Sequence, residues 1–325
     1  SGSEQHREAR QRDVFVVIVG RFYEMRKKSN HIQLPLSDKI FRAVALVILA
    51  LIMVIIIYPI WFVLVASFTN PLEIYQNAFL FWPKEFNFES YKLVFKDQDF
   101  ITGFVNSIFY TVVGTTLNVV MNICGAYPLS KRNFKGKSFF TIMFTFTMFF
   151  SGGLIPTYLV VDGLGMRNTI WAILIPSAVS MYNIIIMRTY FQSRIPLELE
   201  EAAKVDGCTN FRLLLSIVLP LSIPIIAVIA LYYGVGRWND YFSAMIYITD
   251  RKLYPLQLVL REILLQNQAS DMMDIVADSG YSDRMMARLG LKYAVIVVST
   301  VPIFVIYPLV QKFFAKGVMV GAIKG

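Results

Sequence analysis

The run IFRAVALVILALIMVIIIYPIWFVLVAS at 40–67 carries a single charged residue, Arg42, in 28 positions. About 20 consecutive apolar residues cross the hydrocarbon of a bilayer as a helix. In that medium a chain must satisfy its own backbone polar groups, which leaves a helix or a closed barrel. Five further runs of the same grade occur at about 103–129, 139–160, 169–191, 219–247 and 291–314, with GVGRWND interrupting the one at 219–247. The expected fold is an all-α membrane protein with six transmembrane helices in one domain at 37–325. Composition agrees: 56% of residues are hydrophobic and 16% charged, whereas soluble domains carry about a quarter charged residues.

Orientation follows from lysine and arginine in the connections. The tail through Arg42, the loop SKRNFKGK, the stretch 188–212 and the C-terminal tail together hold 20 of them; the alternate connections hold 9. Both termini are therefore expected on the cytoplasmic side. The net charge of +9 reads as this orienting excess and not as a nucleic-acid surface. Residues 1–36 read as a cytoplasmic or interfacial segment, since VFVVIVGRFY is too short to span and no small-residue cleavage site follows it. Two distant cysteines, Cys124 and Cys208, and two N-terminal histidines, His6 and His31, supply neither a disulfide framework nor a metal or histidine-based catalytic site. FKGKS at 134–138 contains Gly-Lys-Ser, but a phosphate loop needs a glycine five positions before Gly136, and Lys131 stands there. The chain is expected to be a non-catalytic protein that binds neither nucleotide nor metal.

The segment at 194–220 is polar and sits between the fourth and fifth runs. Pro196 suits the start of a helix, LELEEAAKV reads as a short one, Gly207 offers a turn, and Thr209 or Asn210 can cap the next helix. It reads as a docking knob at the foot of a transmembrane helix, although any polar loop between spans can be helical and Gly207 can be a turn residue only. The ordered pattern Glu201-Ala202-Ala203, Gly207, Ile217-Val218-Leu219-Pro220 resembles the coupling loop of permease subunits in ATP-binding-cassette importers. FTMFFSGGLIPTYLVV (145–161), IIIMRTYFQS (184–193) and LYPLQLVLREILLQNQ (253–268) extend the likeness to carbohydrate-uptake permeases of the maltose-transporter MalG type, LplC/YtcP-like branch, from about residue 37 to the end.

That resemblance implies the type I importer permease fold (MetI-like) in the plasma membrane of a bacterium. It implies that Glu201, Ala202, Ala203, Asp206 and Gly207 contact a cytoplasmic ATPase, and that a tail with Gly317, Gly321 and Gly325 reaches the ATPase interface, unless that tail is simply a frayed basic end. It implies a heterodimer with a homologous second permease, two ATPase subunits that bind ATP and magnesium in place of this chain, and an extracytoplasmic solute-binding protein. The connection at 266–283 is implied to reach into that binding protein. The expected cargo is an oligosaccharide or polysaccharide fragment.

Polar groups at membrane depth face a protein interior or a water-filled cavity. Asn118 and Asn122 share a helix face, Asn183 lies in the fourth run, and Arg237, Trp238, Asn239 and Asp240 lie in the fifth. On a continuous helix Arg237 and Asp240 are three apart and can pair. The group reads as a translocation path or gate, with helix-to-helix hydrogen bonding as the alternative for each asparagine; Arg237 would suit an acidic sugar. The competing class, an ion-coupled carrier, would need acids at membrane depth, and Asp240 is the one clear case.

Overall fold

The computed structural model describes residues 35–77, 79–273 and 282–319. The chain divides into two compact units, one ending at Pro59 and one beginning at Ile60. The helix α1 (Leu36–Ser67) contains that division. In the first unit its apolar side chains are exposed almost throughout.

In the second unit the elements after α1 are α2 (Pro71–Gln76), α3 (Glu89–Lys96), α4 (Gln98–Ser130), α5 (Lys137–Phe149), α6 (Leu154–Gly163), α7 (Ile170–Leu174), α8 (Met181–Arg194), α9 (Leu197–Val205) and α10 (Asn210–Leu213). There follow a π-helical stretch, Leu214–Val218, a turn, Leu219–Leu221, then α11 (Ile223–Trp238), α12 (Phe242–Tyr247), α13 (Leu256–Met273) and α14 (Ser282–Met319). Among the described residues the only extended pairing is the isolated bridge of Thr69 with Phe86. The all-α expectation holds.

Helix α4 is the axis of this unit. Asp97 starts it by accepting from the backbone N–H groups of Asp99 and Phe100, the partners that a helix N-terminus otherwise lacks. Three apolar cores form along it. One joins Ala126 and Leu129 to Ile184, Met187 and Phe191 of α8, Ala203 of α9, Leu213, Val218 and Ile229. A second joins Tyr110 to α7, Tyr247 and Leu258. The third joins Phe100 to Val94, Trp238, Leu256, Ala294 and Val295.

Among the described residues three helices are long and apolar enough to cross a membrane, and up to five spans result if each sharply bent helix pair counts as one. Six spans were expected; the fourth run is not among these five, and the third, fourth and fifth runs are not single helices. The third breaks at Phe150–Gly153, where α5 and α6 meet at 116°; Gly153 has φ +86°, a region that glycine enters without steric cost. The fourth is only the five residues of α7 and the fourteen of α8, separated at Pro176, which lacks the N–H a continuing helix needs. The fifth bends by 81° between Leu221 and Ile223. Pro220 and Pro224 flank that bend, and the π stretch before it re-registers the ladder, with the Leu219 N–H donating to the Leu214 carbonyl.

Two further expectations change. Helix α11 stops at Trp238, so Arg237 and Asp240 are not on one continuous helix. Part of the connection at 249–290 is helical: α13 places Leu256, Leu260 and Ile263 on the third core. Of the tail glycines, Gly317 lies near the end of α14, and Gly321 and Gly325 lie outside the described residues, as do residues 1–34.

Candidate functional site

The 194–220 segment folds as the expected knob. Pro196 precedes α9, Glu198 and Glu200 fill its first turn, and Lys204 lies in its last, so charge complements the helix dipole at both ends. The Gly207 N–H donates to the Lys204 carbonyl, and the Cys208 N–H to the Ala203 carbonyl. With Gly207 at φ +75°, this is a Schellman termination. Nothing lies within 4 Å of where a Gly207 Cβ would stand; the backbone angle requires the glycine, not crowding. Thr209 then caps α10, its Oγ1 accepting from the Arg212 N–H.

The two alanines part company. Ala203 is 8% exposed and packs in the core shared with α4, α8 and α11. Ala202 is exposed with Glu201, Asp206 and Gly207, beside Val205 at 87% and Phe211 at 71% exposure. Ala203 therefore seats the knob on its own chain, and the outward face is the one carried by Glu201, Ala202, Val205, Asp206 and Gly207. The knob is also tied to the end of α4: Lys131 Nζ donates to Glu200 Oε1 at 2.5 Å, and Tyr127 Oη to the Asn210 carbonyl at 3.1 Å.

Asn118, Asn122 and Arg237 converge on the break at Pro176, joined by Tyr233. There Pro176 cannot donate to Ala172, and the Ala178 N–H turns back to Ile175. Arg237 takes up carbonyls at this end of α7: Nη1 donates to Ile173 O at 2.6 Å and Nη2 to Leu174 O at 2.8 Å, with Asn118 Oδ1 accepting from Nη2 at 3.0 Å. Asn118 Nδ2 donates to the Ser177 carbonyl at 2.9 Å. One turn along both α4 and α11, Asn122 Nδ2 donates to Tyr233 Oη at 2.6 Å, and that oxygen accepts the Ser180 N–H at 3.0 Å. Two rungs, 118 with 237 and 122 with 233, thus straddle the unwound segment. Asn118 and Asn122 are fully buried and Arg237 is 6% exposed. The cation faces the C-terminal end of a short helix, where the dipole is negative.

This geometry corrects the expected Arg237–Asp240 pair. Among the described residues no ion pair joins them, and Asp240 Oδ1 instead accepts the Ser243 N–H. Asn183 is buried on α8 and has no hydrogen bond to the two rungs. Trp238 is buried, its Nε1 donating to the Ser299 carbonyl at 3.1 Å. Asn239 is exposed, and its Nδ2 returns to the Val235 carbonyl.

Sequence reasoning passed over Gly103, Gly114 and Gly125. A Cβ on Gly114 would lie 3.0 Å from Arg237 Nε; on Gly125, 2.9 Å from Ile184 Cδ1; on Gly103, 3.1 Å from Val259 Cγ2. Eleven residues make close to three helical turns, so the regular spacing marks one face of α4 along which α13, α11 and α8 each press against backbone. That periodicity is readable in the sequence. Beyond α12, the Glu262 hydrogen bond and charge, with the Asp99 charge, push the Arg251 guanidinium pKa up.

Residues 123–320 match the family described as "Binding-protein-dependent transport system inner membrane component". Protein LplC of Bacillus subtilis (strain 168) is 43% identical over 83% of this chain and 90% of its own length. The polygalacturonan/rhamnogalacturonan transport system permease protein YtcP of the same organism is 37% identical over 89% of this chain and 100% of its own. Among solved structures, a chain from a bacterial ABC transporter involved in the import of the acidic polysaccharide alginate superposes with a TM-score of 0.78 at 33% identity, covering 86% of this chain and 99% of that one.

Proposed function

The chain belongs to the family of binding-protein-dependent transport system inner membrane components, and from that premise we propose that it is one permease subunit of an ATP-driven importer of oligosaccharides or polysaccharide fragments. The functions named for YtcP and for the alginate transporter support the cargo class. In this reading six spans place both termini in the cytoplasm of a bacterium, a homologous permease completes the path, and two ATPase subunits, which bind the nucleotide and magnesium, dock on the coupling knobs. An extracytoplasmic binding protein delivers the sugar.

The observation that carries this reading is the two-sided helix α9. One side, through Ala203, is embedded in the core that α4, α8 and α11 share. The other presents a small acidic face with Val205 bare to solvent, and Phe211 of α10 is likewise exposed. Closure of an ATPase pair would push on that face, and the packed core would pass the movement to the transmembrane helices. Asn239, Asp240 and the exposed rings of Tyr232 and Tyr241 are the polar and aromatic groups available to a sugar, while Asn118, Asn122 and Arg237 hold the wall in place.

The test is affinity capture of this chain from native membrane, with mass spectrometry of what accompanies it. Recovery of an ATPase and a second permease is expected, and Glu201→Lys should abolish ATPase recovery while membrane insertion stays normal. Recovery of the chain alone after mild extraction would sink the reading and return attention to Asp240 and the ion-coupled alternative.

A further inference from the structure

The outward connections of this reading carry arginines, and most of those with described side chains are already engaged. Arg167 pairs with Asp162 at 3.6 Å, and Arg251 with Glu262 at 2.6 Å and Asp99 at 3.4 Å. Arg261, on α13, has no carboxylate within ion-pair reach among the described residues. Its guanidinium carbon instead lies 5.9 Å from the centroid of the Tyr241 ring, and that ring is 41% exposed. The acid beside Tyr241 in sequence, Asp240, has Oδ1 occupied by the Ser243 N–H. Both partners are rigidly mounted. Leu256, five residues before Arg261, donates its N–H to Ser107 Oγ at 2.8 Å, and α13 lies against the α4 backbone at Gly103. Three residues before Tyr241, Trp238 is fixed to Ser299.

A guanidinium is a planar fork that matches a carboxylate with two parallel hydrogen bonds, and sugar-binding surfaces combine apolar area with a few placed polar groups. We propose that Arg261 and Tyr241 form a recognition point for an acidic oligosaccharide, the guanidinium receiving the uronate carboxylate and the phenol ring the C–H face of the same sugar ring. Arg237, the other candidate for an acidic sugar, is committed to Ile173, Leu174 and Asn118. The inference rests on the carbohydrate-importer reading.

It is tested by uptake into cells carrying the complete transporter, with trigalacturonate, its methyl ester and a neutral galactose trisaccharide as probes. Loss of a charge-assisted hydrogen-bonded contact corresponds to about tenfold. Arg261→Gln should reduce trigalacturonate uptake by about that factor and change ester uptake by less than about twofold, Arg261→Lys should recover part of the loss, and Tyr241→Ala should weaken both. Equal losses of acid and ester in Arg261→Gln, or no loss of either, would overturn the inference. So would a wild-type complex that imports the ester or the neutral sugar but not trigalacturonate, a result that leaves the importer reading standing. A wild-type complex that imports none of the three also overturns the inference, and capture of the ATPase and second permease decides the importer reading separately.

Discussion

Arg237 donates to two carbonyls and an amide oxygen at membrane depth, and Gly114 is what lets it arrive there. A Cβ on Gly114 would stand 3.0 Å from Nε, 3.2 Å from Cδ and 3.2 Å from Leu174 Cδ2, so a larger residue displaces the guanidinium from the end of α7. Removing the arginine leaves those oxygens buried and unpaired, at about 1.5–3 kcal/mol for each hydrogen bond to a charged group. Arg237→Ala and Gly114→Val should therefore each lower the melting temperature of the solubilised complex, by a loss of about 2–4 kcal/mol. They share one contact, so the double variant should lose clearly less than the two losses combined. Thermal unfolding of the four species measures this, and strict additivity would mean that Gly114 does not act through Arg237.

At the scale of one element, α9 separates stability from coupling across neighbouring alanines. Ala203 is enclosed near Leu129, Phe191, Ile195 and Leu213, and overpacking of such a site costs about 1–3 kcal/mol. Ala203→Leu should destabilise the chain by that amount. Ala202→Leu, on the exposed face, should change stability by less than about 0.5 kcal/mol yet reduce capture of the ATPase. Equal behaviour of the two variants in melting and capture would remove the distinction. The sequence pattern announced α9, its glycine stop and a cap at Thr209 or Asn210, of which Thr209 is the one, because those signals are local. It grouped Ala202 with Ala203, because which side of a short helix faces the chain is decided by residues as distant as Leu129. The breaks at Gly153 and Pro176 were obscured for a related reason: an apolar window of about 20 residues averages over a proline or a glycine pair. An unbroken helix would let Arg237 pair with Asp240. The helix instead ends at Trp238, and the acceptors are the Ile173 and Leu174 carbonyls at the C-terminal end of α7, the first a link that spans 64 residues.

For the whole molecule, the reading depends on sidedness. In the proposed orientation, argued from the imbalance of 20 lysines and arginines against 9, the 194–220 knob and the loop at 131–137 face the cytoplasm and the turn at 162–168 the outside. Only that orientation brings the exposed face of α9 to an ATPase. Two exposed positions test it. Asp206 lies on the knob, and Arg167 lies on the opposite turn, where its 3.6 Å pair with the half-exposed Asp162 contributes about 0–1 kcal/mol and can be replaced without unfolding the turn. With Cys124 and Cys208 changed to alanine, a membrane-impermeant maleimide should label Arg167→Cys in intact cells. It should label Asp206→Cys only after the membrane is opened. The reverse pattern would put the knob outside, where no ATP-hydrolysing partner can press on it, and would sink the coupling role whatever the likeness of the motif. Labelling of both positions from outside would instead mean that an even number of crossings separates them, which would require the broken helix at 170–194 to fold back within the membrane.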